Sequence, residues 1–182
     1  MSPARILVER RYDAAVWEVP PADGSGRHAL VRWEVEPDPV DAGPPPEVAR
    51  RLARAFAADG PALYADAQAR ASVGRVRLPG PLAGHAPIAR AEDADALLRA
   101  FDAGGHDWTQ GAQWIVLLDP GGEADAAVLA FVEALFRDWT PPARWPPAIR
   151  GAVKAGVDGD AAGIVARDRA GLDRMEAALL GK

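Results

Sequence analysis

The 182-residue chain contains no cysteine. Disulfides, thiolate metal sites and cysteine nucleophiles are therefore excluded. It contains no asparagine either, so it has no acceptor for N-glycosylation. Lysine occurs only at Lys154 and Lys182, and serine only at Ser2, Ser25 and Ser72. None of these serines stands in a Gly-x-Ser-x-Gly elbow, which leaves a serine hydrolase without support. His28, His85 and His106 are far apart and form no His-x-His or His-Glu-x-x-His spacing, so no histidine metal site is expected. No apolar run approaches the roughly 20 residues that span a bilayer. The opening run Ile6-Leu7-Val8 is cut by Glu9, Arg10 and Arg11, unlike the longer apolar core of a signal peptide. The expectation is a cytoplasmic protein that does not enter membranes and carries neither cofactor nor metal.

What is present is mostly Ala, Arg, Gly, Pro and Leu, the composition of a GC-rich, bacterial genome. Hydrophobic residues at 49% and charged residues at 26% are ordinary for a globular chain. The length suits one domain, residues 1–182, able to bury a sizeable core. The net charge of −5 is unevenly spread. Residues 50–99 carry 8 basic and 5 acidic side chains, whereas residues 100–149 carry 2 basic and 7 acidic ones. A phosphate backbone would be repelled by the second block, which argues against nucleic acid and for a neutral or cationic partner.

The spacing of apolar residues predicts an α+β fold. Ile6–Val8, Val16–Val19 and Ala29–Val35 read as strands, the last with strict alternation, and Asp23-Gly24-Ser25-Gly26 makes a hairpin turn between the second and third. After five prolines in residues 37–46, Val48, Leu52 and Phe56 form the stripe of a helix that Gly60-Pro61 ends. A second short helix is expected through Leu63, Tyr64 and Ala67, and a strand from Val73 to Leu78. Ala94, Leu97, Leu98 and Phe101 mark another helix, with Glu92, Asp93 and Asp95 in its first turn. That acidic group is a helix start before it is a metal site. Ile115–Leu118 reads as a strand buried on both faces. The clearest helix spans residues 123–139, where Val128, Phe131, Val132, Leu135, Phe136 and Trp139 share one face. Asp158-Gly159 joins two strands as a hairpin, and a last helix from Asp168 carries Leu172, Met175 and Leu179. The fold expected is a mixed or antiparallel sheet built from N- and C-terminal hairpins plus a central buried strand, with helices packed on it.

The richest chemistry lies in residues 104–114. His106, Asp107, Trp108, Thr109, Gln110, Gln113 and Trp114 fall within eleven residues. Burying such a group costs free energy unless each polar atom finds a partner. His106 titrates near neutrality and Asp107 could fix its tautomer, so the pair is a candidate for acid–base work. The plainer reading is that these groups cap the preceding helix and tie down its loop. Asp119, at the end of the buried strand, is a third catalytic candidate, and equally a turn former. Gly121-Gly122 lacks the lysine and full glycine pattern of a phosphate loop.

The other unusual segment is Trp139-Thr140-Pro141-Pro142-Ala143-Arg144-Trp145-Pro146-Pro147. Its prolines stiffen an extended chain that carries large apolar groups. Trp145 is either an interface anchor or a lid on the core. Arg50, Arg51, Arg54, Arg70, Arg75 and Arg77 read as solvated faces. The catalytic inventory is thin and the tryptophan inventory rich. The sequence therefore points to a protein that binds a macromolecular partner, as an accessory, inhibitor or immunity-type protein would. Trp108, Gln110, Arg144 and Trp145 are the expected contacts, and the partner is expected to be a protein with a basic face. Two other readings stay open: a small enzyme using His106 and Asp107 on a neutral or cationic substrate, and a self-associating scaffold, a homo-oligomer.

Overall fold

The computed structural model describes residues 5–11, 27–34, 45–66, 88–103, 113–138, 142, 144–157 and 161–182. The elements run β1 (Arg5–Arg11), β2 (Arg27–Glu34), α1 (Pro46–Phe56), β3 (Ala62–Asp66), β4 (Ile88–Ala91), α2 (Ala94–Ala103), β5 (Gln113–Leu118), α3 (Ala126–Asp138), β6 (Ile149–Val157), β7 (Ala161–Ala166) and α4 (Arg169–Leu180). The fold is α+β, with helices packed on an antiparallel sheet. The described strands lie in the order β1-β2-β7-β6-β5-β3-β4. Every pairing among the described strands is antiparallel, so the described sheet is antiparallel and not mixed.

At the N-terminus the first and third of the expected strands pair, β1 against β2 with Val8 opposite Val31, and at the C-terminus β6 lies against β7 with Val153 opposite Ile164. β2 and β7 then join the two ends of the chain, with Val31 opposite Ala162. The expected strand at Val16–Val19, the turns at Asp23–Gly26 and Asp158-Gly159, the strand at Val73–Leu78 and the loop through His85 lie outside the described residues.

The strand period of two sorts side chains onto two cores. On one face Ile115 and Leu117 of β5, Tyr64 of β3, Val153 of β6 and Ile164 of β7 meet Leu52 and Phe56 of α1, Leu97 and Phe101 of α2, and Leu172, Met175 and Leu179 of α4. The Tyr64 ring stands edge-on to Phe101 with centroids 5.5 Å apart. On the other face Trp114, Val116 and Leu118 of β5, Leu63 and Ala65 of β3 and Ile149 of β6 meet Val128, Phe131, Val132 and Leu135 of α3. β5 is buried on both sides, as its apolar run implies.

Asparagine being absent, aspartates start three of the helices. Asp93 Oδ1 accepts from the Ala96 N–H at 2.8 Å, Asp125 Oδ1 from Val128 at 2.9 Å, and Asp168 Oδ1 from Gly171 at 2.7 Å. Each satisfies an N–H that the first helical turn leaves without a partner. α1 starts differently, with Pro46 in its first turn and no side-chain cap.

Two expectations need correction. Leu63 and Tyr64 are not helical but belong to β3, where Ala62 pairs with Leu117 and with Ala91. Ala and Leu favour helices, but here sheet partners on both sides and burial on both faces outweigh that preference. The helix expected at 123–139 is Ala126–Asp138, since Asp125 caps it. It is also not the centre of one core: it covers its own face, while α1, α2 and α4 share the other. β4 was not anticipated, because Ile88-Ala89-Arg90-Ala91 is too short to show a period.

Candidate functional site

His106, Asp107, Trp108 and Gln110 lie outside the described residues. Asp119, Arg144 and Trp145 lie within them, and the fold does not treat them alike.

Trp145 packs on the α3 face. Its ring meets Phe131 edge-on, with centroids 5.3 Å apart and planes at 66°. The residue is half-buried, and its enclosed indole N–H takes no hydrogen bond among the described residues. Leaving such a donor unpaired costs about 1–3 kcal/mol. Trp145 thus helps to close the core, while the adjoining Arg144 is exposed. The proline connector is held in place by Arg167, whose guanidinium donates to the carbonyls of Pro146 at 2.7 Å and Pro147 at 2.9 Å.

Asp119 sits where β5 ends. Its backbone N–H donates to Ala148 O at 2.8 Å and its carbonyl accepts from the Gly122 N–H at 2.8 Å. It lines a cleft of about 640 Å³ between the end of α1, the β4–α2 turn, the β5–α3 turn and the start of α4. Six charged residues line it: Asp59, Glu92, Asp119, Arg150, Asp168 and Arg174.

Arg150 organises this cleft. Its Nε donates to Leu118 O at 2.9 Å, and its Nη2 to the carbonyls of Phe56 and Gly60. One guanidinium therefore ties the last turn of α1 to the end of β5. Burial pulls the Arg150 pKa below the usual arginine value, with Asp59 and Asp119 opposing that and Arg174 adding to it. The group still keeps its charge, because arginine does not deprotonate in proteins. Gly60 makes the close approach possible. Its φ of 149° disfavours a side chain, and a Cβ there would collide with the Leu118 carbonyl. Arg174 donates to Asp59 at 2.6 Å, and this bond raises its pKa.

Beside the cleft lies an exposed acidic ridge. Glu92 and Asp93 come from the β4–α2 turn, Asp95 from the first turn of α2, and Glu123 and Asp125 from the loop before α3; all five are exposed. Arg90 draws the two segments together. It donates to Glu92 through Nε and to Gly122 O at 2.8 Å through Nη1, which also lies 3.7 Å from Glu123. The hydrogen bond to Glu92 is the main reason its pKa is raised.

Among the described residues, no group of three or more metal-ligating side chains stands close enough to hold an ion. No helix among them is long and apolar enough to cross a membrane. Arg150, Arg174 and Asp59 were not singled out from sequence. The signal for Arg150 was present: it is a lone charge in the strand sequence Ile149-Arg150-Gly151-Ala152-Val153. The other two come from segments that only the fold brings together. No protein-family model, characterised protein or solved structure matches the chain.

Proposed function

We propose that this protein acts by binding a macromolecular partner, another protein with a basic face, in an accessory, inhibitory or immunity-type role. The observation that carries the reading is the acidic ridge. Five exposed carboxylates, Glu92, Asp93, Asp95, Glu123 and Asp125, come from two segments that the partly covered cation Arg90 ties together through Glu92, Glu123 and the Gly122 carbonyl. Charge of one sign on a rigid surface steers a complementary partner and fixes its register. The arginine–carbonyl ties hold the underlying turns, so the ridge is ordered before binding. Arg144, beside the half-buried Trp145, supplies a donor for a partner carboxylate or aromatic ring. Trp108 and Gln110 remain part of the proposed contact set on sequence grounds alone. A cytoplasmic, bacterial setting is part of the proposal and rests on composition.

The test is affinity capture from a bacterial lysate with wild-type protein and with the double variant Glu92→Lys/Glu123→Lys. Both side chains are exposed, so the fold should survive, which circular dichroism checks. The proposal predicts a partner retained by the wild type, lost by the variant and rich in basic surface residues. An identical captured set for both proteins would contradict it.

A further inference from the structure

The cleft holds six charged residues, and most of their charge is already engaged within the protein. Asp59 and Arg174 pair with each other. Glu92 pairs with Arg90. Asp168 accepts the Gly171 N–H at the start of α4. Arg150 spends Nε and Nη2 on backbone carbonyls. Two groups are left over, the Asp119 carboxylate and Arg150 Nη1, and neither takes a hydrogen bond among the described residues.

These two are opposite in sign and line one cleft, yet they form no ion pair with each other. The backbone explains why. Arg150 is pinned by three carbonyl contacts from two segments. Asp119 is pinned by its own N–H and C=O, through Ala148 and Gly122. The Arg150 guanidinium is therefore held in place, and the Asp119 main chain is anchored beside it. A cleft that keeps one anion and one cation out of direct contact, each with hydrogen-bonding capacity left over, is complementary to a ligand with both charges.

We infer that this cleft binds a small zwitterion, a free α-amino acid, with its ammonium on Asp119 and its carboxylate on Arg150 Nη1. The volume of about 640 Å³ lies in the range of about 300–1,000 Å³ common for small-molecule sites. Charge-assisted hydrogen bonds at both ends would give such a ligand orientation as well as affinity. The described lining offers carboxylates, guanidinia, a thioether and small groups, and among the described residues no hydroxyl, imidazole or amine, so the inference is one of binding. It does not rest on the macromolecular partner, whose proposed surface is the adjoining ridge, with Glu92 common to both.

The experiment is a titration of the 15N-labelled full chain, followed by amide shifts. The probes are glycine, L-alanine, L-glutamate and L-arginine, each with its N-acetyl and carboxamide derivatives. The inference predicts saturable shifts at Gly60, Asp119, Gly122 and Gly171 with at least one free amino acid. Blocking either end should weaken binding by about tenfold or more, as expected for losing a hydrogen bond to a charged group. Asp119→Asn should give the same loss toward the free amino acid and no further loss toward its N-acetyl derivative. Arg150→Lys serves as the second variant, and its fold is checked first. Absence of saturable shifts with all probes at millimolar concentration would overturn the inference. Equal binding of free and carboxamide forms would overturn it too, since that describes a site for cations alone.

Discussion

The two faces of the sheet are built by different means. One face lies under α1, α2 and α4, with elements from the start, middle and end of the chain in one core. The other lies under α3 alone, with Trp145 and Ala148 at its edge. The three-helix face is closed by helix–helix contact as well as by helix-on-sheet contact, and the charged cleft opens where α1 and α4 end or begin beside it. The α3 face is closed partly by a proline connector that two carbonyl bonds from Arg167 hold in place. Two indole N–H groups buried on it, on Trp114 and Trp145, take no hydrogen bond among the described residues. The difference teaches where this molecule has slack. The three-helix face over-determines its geometry and so can hold a cleft with fixed charges. The α3 face has room to relax.

The largest test of that comparison uses neighbours on one strand. Leu117 and Leu118 are both fully buried, on opposite faces of β5. Either change to alanine should cost about 2–5 kcal/mol, with the spread set by how far the surroundings collapse into the cavity. Leu117→Ala should fall toward the upper end and Leu118→Ala toward the lower, read from denaturant midpoints at unchanged slope. The reverse order would break the comparison.

Gly60→Ala comes next. The residue must leave a φ of 149° or push against the β5 end. A loss of about 1–3 kcal/mol is expected, in line with the cost of a residue forced into a sparse backbone region. Because Gly60 lies against Leu118 and Asp119, the change should also disturb the cleft, visible as amide shifts at residues 118–122. Smaller still are the caps. Asp93→Ala, Asp125→Ala and Asp168→Ala should each cost about 0.5–2 kcal/mol. Asp125→Ala should speed amide exchange in α3 alone, because among the described residues α3 is the one helix in its core. Uniform loss of protection across the molecule would argue that the two faces are not separable. Smallest is Trp145→Phe. It removes the unpaired indole N–H together with some packing against Phe131. The two effects oppose, so the midpoint should move by no more than about 1 kcal/mol.

What the sequence made legible follows from these physical differences. The α3 stripe, the α1 stripe and the Leu172, Met175, Leu179 face of α4 are periodic, and periodicity survives any tertiary context. β5 was legible because four apolar residues in a row need cover on both sides. β3 was not, because Ala62-Leu63-Tyr64-Ala65 is apolar throughout and its conformation is decided by β4 and β5. The cleft was legible only at Asp119. Its other charged residues come from positions 59, 92, 150, 168 and 174, and no local pattern links them. Trp145 reads from sequence as either an interface anchor or a lid on the core, and its contact with Phe131 depends on where the connector is pinned. The His106–Asp107 pair falls in residues 104–112, outside the described structure.

The central claim is that an ordered acidic ridge recruits a basic protein partner. It is tested most directly by measuring the association rate of the captured partner across ionic strength, for wild type and for Glu92→Lys/Glu123→Lys. The account predicts a wild-type rate that falls steeply as salt rises, because exposed charges are screened beyond about 8–10 Å near physiological ionic strength. It also predicts a slower variant whose rate is nearly indifferent to salt. A wild-type rate that does not change with salt, matched by the variant, would contradict it.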